Sequence, residues 1–75
     1  GYGMKEKQLG KILKSMRLKK GLSAEALSRE SGVSAMHIGR IERGDMSPTM
    51  GILNKVASGL DVEMVLRFRK KGKKK

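Results

Sequence analysis

Residues 21–34 of the chain read Gly-Leu-Ser-Ala-Glu-Ala-Leu-Ser-Arg-Glu-Ser-Gly-Val-Ser, and residues 38–44 read Ile-Gly-Arg-Ile-Glu-Arg-Gly. In this stretch Ser28 is small, Gly32 follows four residues later, and Ile38 comes six residues after that. Two helices that cross closely need a small residue at the crossing, a glycine for a turn with positive φ, and a branched apolar residue that holds the second helix on the core. The stretch therefore predicts a helix-turn-helix motif at about residues 23–43.

Helical patterns continue on both sides of this motif. Ser23, Ser34 and Thr49 each stand before an apolar-periodic segment, where a hydroxyl can cap a helix N-terminus. Apolar residues recur at helical spacing before the motif (Leu9, Ile12, Leu13 and Met16) and after it (Leu53, Val56, Ala57 and Leu60). We predict a mainly α domain of four to five helices over residues 4–61. Residues 1–3, Gly-Tyr-Gly before Met4, are interpreted as an expression-tag remnant outside the fold.

The apolar pattern changes its period after Asp61. Four apolar residues alternate with Glu63, Val65 and Arg67, as on one face of a β-strand: Val62, Met64, Leu66 and Phe68. No other segment offers a partner strand, and a lone strand leaves its backbone hydrogen-bonding groups unpaired. We therefore predict a strand at residues 62–69 that pairs with its copy across a homodimer; the alternative is a frayed extension of the fourth helix. Residues 70–75 are predicted to be a basic, disordered tail.

Length, charge and residue types narrow the classes of function. The 75 residues carry 18 Lys and Arg against 7 Asp and Glu, a formal net charge of +11, which attracts DNA, RNA or anionic lipid. A solubilising tail is the plainer explanation for part of this excess. A single His without any Cys predicts no metal site, and we expect no cofactor. No serine has a nearby base, so we expect no enzyme. Without an apolar run of about 18 residues or a signal peptide, we expect a cytoplasmic protein with no membrane partner.

The string from Leu22 to Gly44, taken whole, closely resembles the Cro/CI-type (Xre, lambda repressor-like) DNA-binding domain. The resemblance extends from about Leu9 to Asp61, and its most specific part is the signature Ile-x-Arg-Ile-Glu-x-Gly at residues 38–44. It implies a transcriptional repressor that binds double-stranded DNA, with the second helix of the motif in the major groove. A two-fold dimer would place two such helices about 34 Å apart on a palindromic operator.

The resemblance also implies roles for individual residues. Arg17 and Glu42 match a family pair that forms a buried, structural salt bridge. Arg40 matches a base-reading position, where its guanidinium could bind guanine O6 and N7; a solvated surface arginine is the alternative. The other matched positions face the groove (Ser34, Ala35 and Met36, the last against a thymine methyl) or the phosphates (Ser23, Ala24 and Arg43). His37 adjoins this face, as a phosphate contact or an ordinary surface histidine.

The chain departs from the family pattern at two positions, and its layout is similar to that of two subfamilies with different functions. Family members often carry Gln where this chain has Ala24 and Ala35, so we expect specificity to depend on fewer base contacts, on DNA shape, or on the basic tail reaching neighbouring DNA backbone. A C-terminal strand paired across a dimer is similar to the layout of HipB-type antitoxins, which implies a HipA-type kinase toxin as a candidate partner. The alternative function is that of multiprotein bridging factors, which use this domain to join an activator to the transcription machinery.

Overall fold

The structure is a computed structural model that describes residues 6–72, so the predicted tag remnant and residues 73–75 of the predicted tail lie outside it. Four helices follow one another: α1 (Glu6–Lys19), α2 (Ala24–Ser31), α3 (Ala35–Arg43) and α4 (Met50–Gly59). α1 packs on α3, and α2 packs on both α3 and α4. The predicted mainly α fold is confirmed, with four helices in the described part of the chain.

The starts of α2, α3 and α4 follow from side chains that satisfy backbone donors. Ser23, Ser34 and Thr49 are the N-caps, and each hydroxyl accepts a hydrogen bond of 3.0–3.1 Å from the N–H three residues later. Gly32 ends α2 at φ 79° and Gly44 ends α3 at φ 78°, in the left-handed region that glycine adopts without strain. The three N-caps and the left-handed turn at Gly32 are therefore found at the residues for which the sequence predicts them.

The core lies between the helices and is built from aliphatic side chains. Leu27 of α2, Ile38 and Ile41 of α3 and Val56 of α4 are its largest fully buried members. Three further buried residues complete the cluster: Leu13, Val33 and Leu60. Burying a Leu, Ile or Val side chain contributes about 1.5–3 kcal/mol, so α3 is held in place mainly by its two isoleucines.

The face of α1 that packs on the core differs from the face predicted by its apolar stripe. Of the predicted stripe, Leu13 is buried and Leu9 is half-buried, whereas Ile12 and Met16 remain 39% and 37% exposed. The face toward α3 also holds Gly10 and Arg17, both buried. A Cβ at Gly10 would overlap the carbonyl oxygens of residues 41 and 42 in α3, so the two helix backbones meet there. This close approach turns Ile12 and Met16 outward.

The segment after α4 is anchored only at its start. The Val62 N–H donates to the Ala57 carbonyl at 2.9 Å, and Lys20 Nζ lies 2.7 Å from Asp61 Oδ2, which joins the end of α1 to this segment. Residues 63–72 adopt no helix or strand. The strand predicted at residues 62–69 is therefore not formed by the single chain, because an extended segment becomes a β-strand only when a neighbour supplies the ladder. Met64 is half-buried, but Val62, Leu66 and Phe68 are exposed.

Candidate nucleic-acid interface

α3 presents one face to the core and the opposite face to solvent. Ile38 and Ile41 are each only 2% exposed, and they fix the rotation of the helix about its axis. At 3.6 residues per turn, this rotation places Met36, Arg40 and Arg43 on the outer side. All three are exposed, and Met36 is 70% exposed although it is apolar. The outer side of α3 is thus a convex cationic surface with one exposed thioether.

The C-terminal end of α3 is tied to α1 by a bidentate ion pair. Arg17 Nε and Nη2 donate to the two carboxylate oxygens of Glu42 at 2.7 and 3.0 Å, and Nη1 donates to the Leu22 carbonyl at 2.8 Å. The side chains of Arg17 and Glu42 are only 11% and 8% exposed. Hydrogen bonding to Glu42 raises the pKa of Arg17 above its ordinary value against the opposing effect of burial. The pair implied by the family resemblance is therefore in contact, and it fixes where α3 lies.

A shallow, open depression of about 280 Å³ lies beside the N-terminal half of α3. It brings together four of the residues predicted to face DNA, namely Ser34, Met36, His37 and Arg40, and adds Met46 from the loop after α3. Met46 is half-buried against the core cluster. Met46 could not be assigned to this face from the sequence, because the spacing of a loop residue does not show which helix it will border.

His37 is placed differently from what a simple phosphate contact requires. Its Nε2 atom is buried and has no hydrogen-bond partner among the described residues, while its backbone N–H is bound by the Ser34 cap. A buried ring nitrogen cannot reach a phosphate without rotation of the side chain. In this conformation Nε2 of His37 is therefore not placed to contact a phosphate.

The N-terminus of α2 offers backbone donors rather than side chains. The Ser23 hydroxyl is occupied as the cap, and Ala24 is half-buried against the core. The first N–H groups of a helix have no intrahelical partner and attract anions, although the exposed Glu25 in this turn opposes that attraction. Ala35 is half-buried at the start of α3. At both alanines the groups left for a phosphate are main-chain N–H groups.

The two arginines on the outer side of α3 differ in their partners. Arg43 Nε donates to Asp45 Oδ2 at 3.0 Å in an exposed pair, a type of interaction that contributes about 0–1 kcal/mol and exchanges easily. Arg40 forms no ion pair within residues 6–72. Arg40 is therefore the cation on this face whose guanidinium is free to bind a planar acceptor.

Neither a membrane-spanning helix nor a clustered set of metal ligands occurs in the described residues. Across residues 6–72 no helix combines the length and the apolar character needed to cross a bilayer. Within that range, no three His, Asp or Glu side chains are grouped as a metal site would require.

Comparison with known proteins agrees with this architecture. Residues 13–66 match the family model HTH_3, described as helix-turn-helix. The uncharacterized HTH-type transcriptional regulator y4dL of Sinorhizobium fredii is 39% identical over 66 residues, which are 88% of this chain and 34% of that protein. The chain spans roughly a third of the length of the curated relatives that it matches, with shares of 34%, 30% and 40%.

Two solved structures are similar in both fold and sequence. The HTH_3 family transcriptional regulator from Vibrio cholerae superposes with a TM-score of 0.75 at 43% identity, over 77% of this chain and 33% of that one. The restriction-modification controller protein C.AhdI from Aeromonas hydrophila gives a TM-score of 0.75 at 34% identity, over 77% of this chain and 88% of the controller. The chain therefore belongs to the HTH_3 family of helix-turn-helix proteins, the Cro/CI (Xre) type that its sequence resembles.

Proposed function

We propose that this chain is the DNA-binding unit of a transcriptional regulator and that α3 reads base pairs in the major groove. The observation that carries the proposal is the outer side of α3, where Arg40 is exposed and unpaired within the described residues while Ile38, Ile41 and the Glu42–Arg17 pair hold the helix from behind. An α-helix of this kind fits the B-DNA major groove, which is about 12 Å wide. The names of the relatives support regulation of transcription as the use of this surface.

The residues on this surface predict modest base specificity. A bidentate contact from Arg40 to guanine contributes about 1–3 kcal/mol of discrimination. Met36 supplies an apolar contact that suits a thymine methyl. Ala24 and Ala35 have no amide with which to read adenine or hold a phosphate, and the main-chain N–H groups at the two helix starts position the protein without reading sequence. We therefore expect a short base preference centred on Arg40, supplemented by DNA shape.

Repression would follow from dimerisation through the C-terminal segment. Phe68 is 89% exposed and Leu66 is also exposed, which is unfavourable for apolar side chains that nothing covers. Pairing of residues 62–69 between two copies would cover these side chains and complete the missing β ladder. A two-fold dimer would bind a palindromic operator and occlude polymerase. The similarity to a restriction-modification controller supports an operon-regulating function of this kind.

The base-reading part of the proposal is tested by selecting DNA duplexes from a randomised library. The wild-type chain should enrich a preferred sequence, and Arg40→Ala should lose the preference at one position per half-site while its circular dichroism spectrum stays unchanged. Lys55→Ala is the matched control, because it removes one exposed positive charge from α4 without touching α3. A selected sequence that is the same for wild type and Arg40→Ala would refute this mode of reading.

The dimer is tested by sedimentation of a variant that keeps the helical core intact. Leu66→Ser with Phe68→Ser should shift the chain from dimer to monomer, because both side chains lie on the alternating apolar face. Val65→Ser is the control, since Val65 is exposed on the opposite face of the same segment. If the double variant sediments like the wild type, the C-terminal segment does not hold the dimer.

The more specific functions stay predictions from the family resemblance. A toxin partner of the HipA type requires a second protein surface, and no contact among the described residues favours one. The bridging-factor alternative predicts a monomer with weak, unselective DNA affinity, so the two experiments above separate it from a dimeric repressor. The cytoplasmic location likewise stays a prediction.

A further inference from the structure

The segment after α4 concentrates positive charge in five consecutive residues. Residues 6–61 carry ten Lys and Arg against six Asp and Glu, a net charge of +4. Residues 67–71, Arg-Phe-Arg-Lys-Lys, carry the same net charge of +4 with no acidic residue. The short segment therefore equals the whole helical body in net charge.

These cations have no counter-charge within the described part of the chain. The three ion pairs of residues 6–72 use Arg17, Lys20 and Arg43, and none involves a residue beyond Asp61. Every residue from 65 to 72 is exposed. Like charges so close together repel one another, and this repulsion favours an extended segment that a polyanion would stabilise.

An extended conformation of this segment would separate the cations from the apolar side chains. Successive side chains of an extended chain point to opposite sides, so the residue order would place Arg67, Arg69 and Lys71 on one face and Leu66 and Phe68 on the other. The cations on this face recur about every 6.4–6.8 Å, since an extended chain rises about 3.2–3.4 Å per residue. A second copy of the chain can therefore cover the apolar face while the cationic face stays available.

From this separation we infer that Arg67, Arg69 and Lys71 form a second DNA contact, an arm that binds the phosphodiester backbone outside the base pairs covered by α3. The inference rests on the proposed function and extends its footprint. Val62 is held to α4, and the nine residue steps from Val62 to Lys71 reach about 30 Å when extended, close to the roughly 34 Å of one turn of DNA. The arm adds affinity but no base preference, because phosphates carry no sequence information.

The salt dependence of binding to a mixed-sequence DNA duplex tests the arm. Each phosphate contact adds about 0.9 to the slope of log affinity against log salt concentration. The triple variant Arg67→Ala, Arg69→Ala and Lys71→Ala should reduce the slope by about 2.7 for each arm that binds DNA. Between 50 and 200 mM salt, the advantage of wild type over this variant should therefore fall about 40-fold for each bound arm.

A control triple variant separates the loss of specific phosphate contacts from the loss of net positive charge. Lys11→Ala, Lys14→Ala and Lys19→Ala remove the same charge from exposed positions of α1, whose buried residues Gly10, Leu13 and Arg17 lie on a different face. We expect this control to change the slope by less than about 1, because diffuse charge releases few counterions. Sedimentation of all variants at equal concentration shows whether their oligomeric state is the same.

Each outcome decides the inference. The inference is supported if the slope of log affinity against log salt concentration changes strongly only in the arm variant. It is also supported if replacement of Arg67 and Arg69 by Lys leaves this slope unchanged. Equal slope changes in both triple variants, or none in the arm variant, would overturn it and leave base reading by α3 intact. If the wild-type chain binds no duplex at low salt, the proposed function and this inference fail together.

Discussion

Replacing Gly10 with Ala should destabilise the domain, although alanine is the better helix former. In a helix interior, Gly to Ala favours the helix by about 1 kcal/mol. At Gly10, however, the new methyl group would overlap the carbonyl oxygens of Ile41 and Glu42, which belong to helix backbone and cannot rotate away. Overpacking of this kind costs about 1–3 kcal/mol, and we place Gly10→Ala at the upper end. The net result is a loss of about 2 kcal/mol.

Thermal unfolding followed by far-UV circular dichroism measures this loss. A change of 1 kcal/mol shifts the Tm of a domain this size by about 4–8 °C, so Gly10→Ala should lower the Tm by about 8–16 °C. Gly51→Ala in the first turn of α4 is the matched control, because a Cβ there meets only Thr49 Oγ1, at 3.9 Å. It should raise the Tm by up to about 8 °C. A Gly10→Ala protein as stable as the wild type would refute the close approach of α1 and α3.

Three further outcomes are expected from other contacts. Arg17→Met should cost about 3–5 kcal/mol in urea unfolding because it strands the Glu42 carboxylate, and Arg17→Met with Glu42→Leu should recover most of this loss; equal losses would argue against a coupled pair. Thr49→Ala should cost about 1 kcal/mol through the lost cap of α4, and an unchanged urea midpoint would contradict that role. The hydrogen bond from Lys20 lowers the pKa of Asp61 below its ordinary 3.8, so its contribution is present above that value and is lost as the pH falls through the lowered pKa. Asp61→Asn should therefore lower the Tm near about pH 6, and the difference from wild type should shrink as the pH falls through the lowered pKa; a pH-independent difference would contradict the ion pair.

Local chemistry made the helix boundaries predictable. The Ser34 hydroxyl accepts a hydrogen bond from the N–H three residues later, and Gly32 adopts a positive φ without strain. Both effects are local and do not depend on the rest of the fold. The core side of α3 was predictable for a related reason, since Ile38 and Ile41 are the branched apolar residues at helical spacing in that segment. The outer position of Arg40 then follows from the helical period.

Tertiary and intermolecular effects explain what the sequence did not predict. An apolar stripe predicts that Ile12 and Met16 are buried, but the approach of two backbones at Gly10 sets the rotation of α1 instead. Contact between Arg17 and Glu42 spans 25 positions, so periodicity could not find it and only the family resemblance did. The strand predicted at residues 62–69 is absent from the single chain, and its pairing with a second copy stays a proposal.

The hydrogen bonds of the Arg17 guanidinium make the surface that would bind DNA rigid. The guanidinium binds Glu42 at the end of α3 and the Leu22 carbonyl just before α2. The same side chain therefore fixes both the start of α2 and the end of α3. The spacing between the main-chain donors of α2 and the side chains of α3 is thus set before any duplex arrives. Binding would then lose little conformational freedom within the helical body, and accommodation of an imperfect site would fall to the DNA, which must bend or twist to fit.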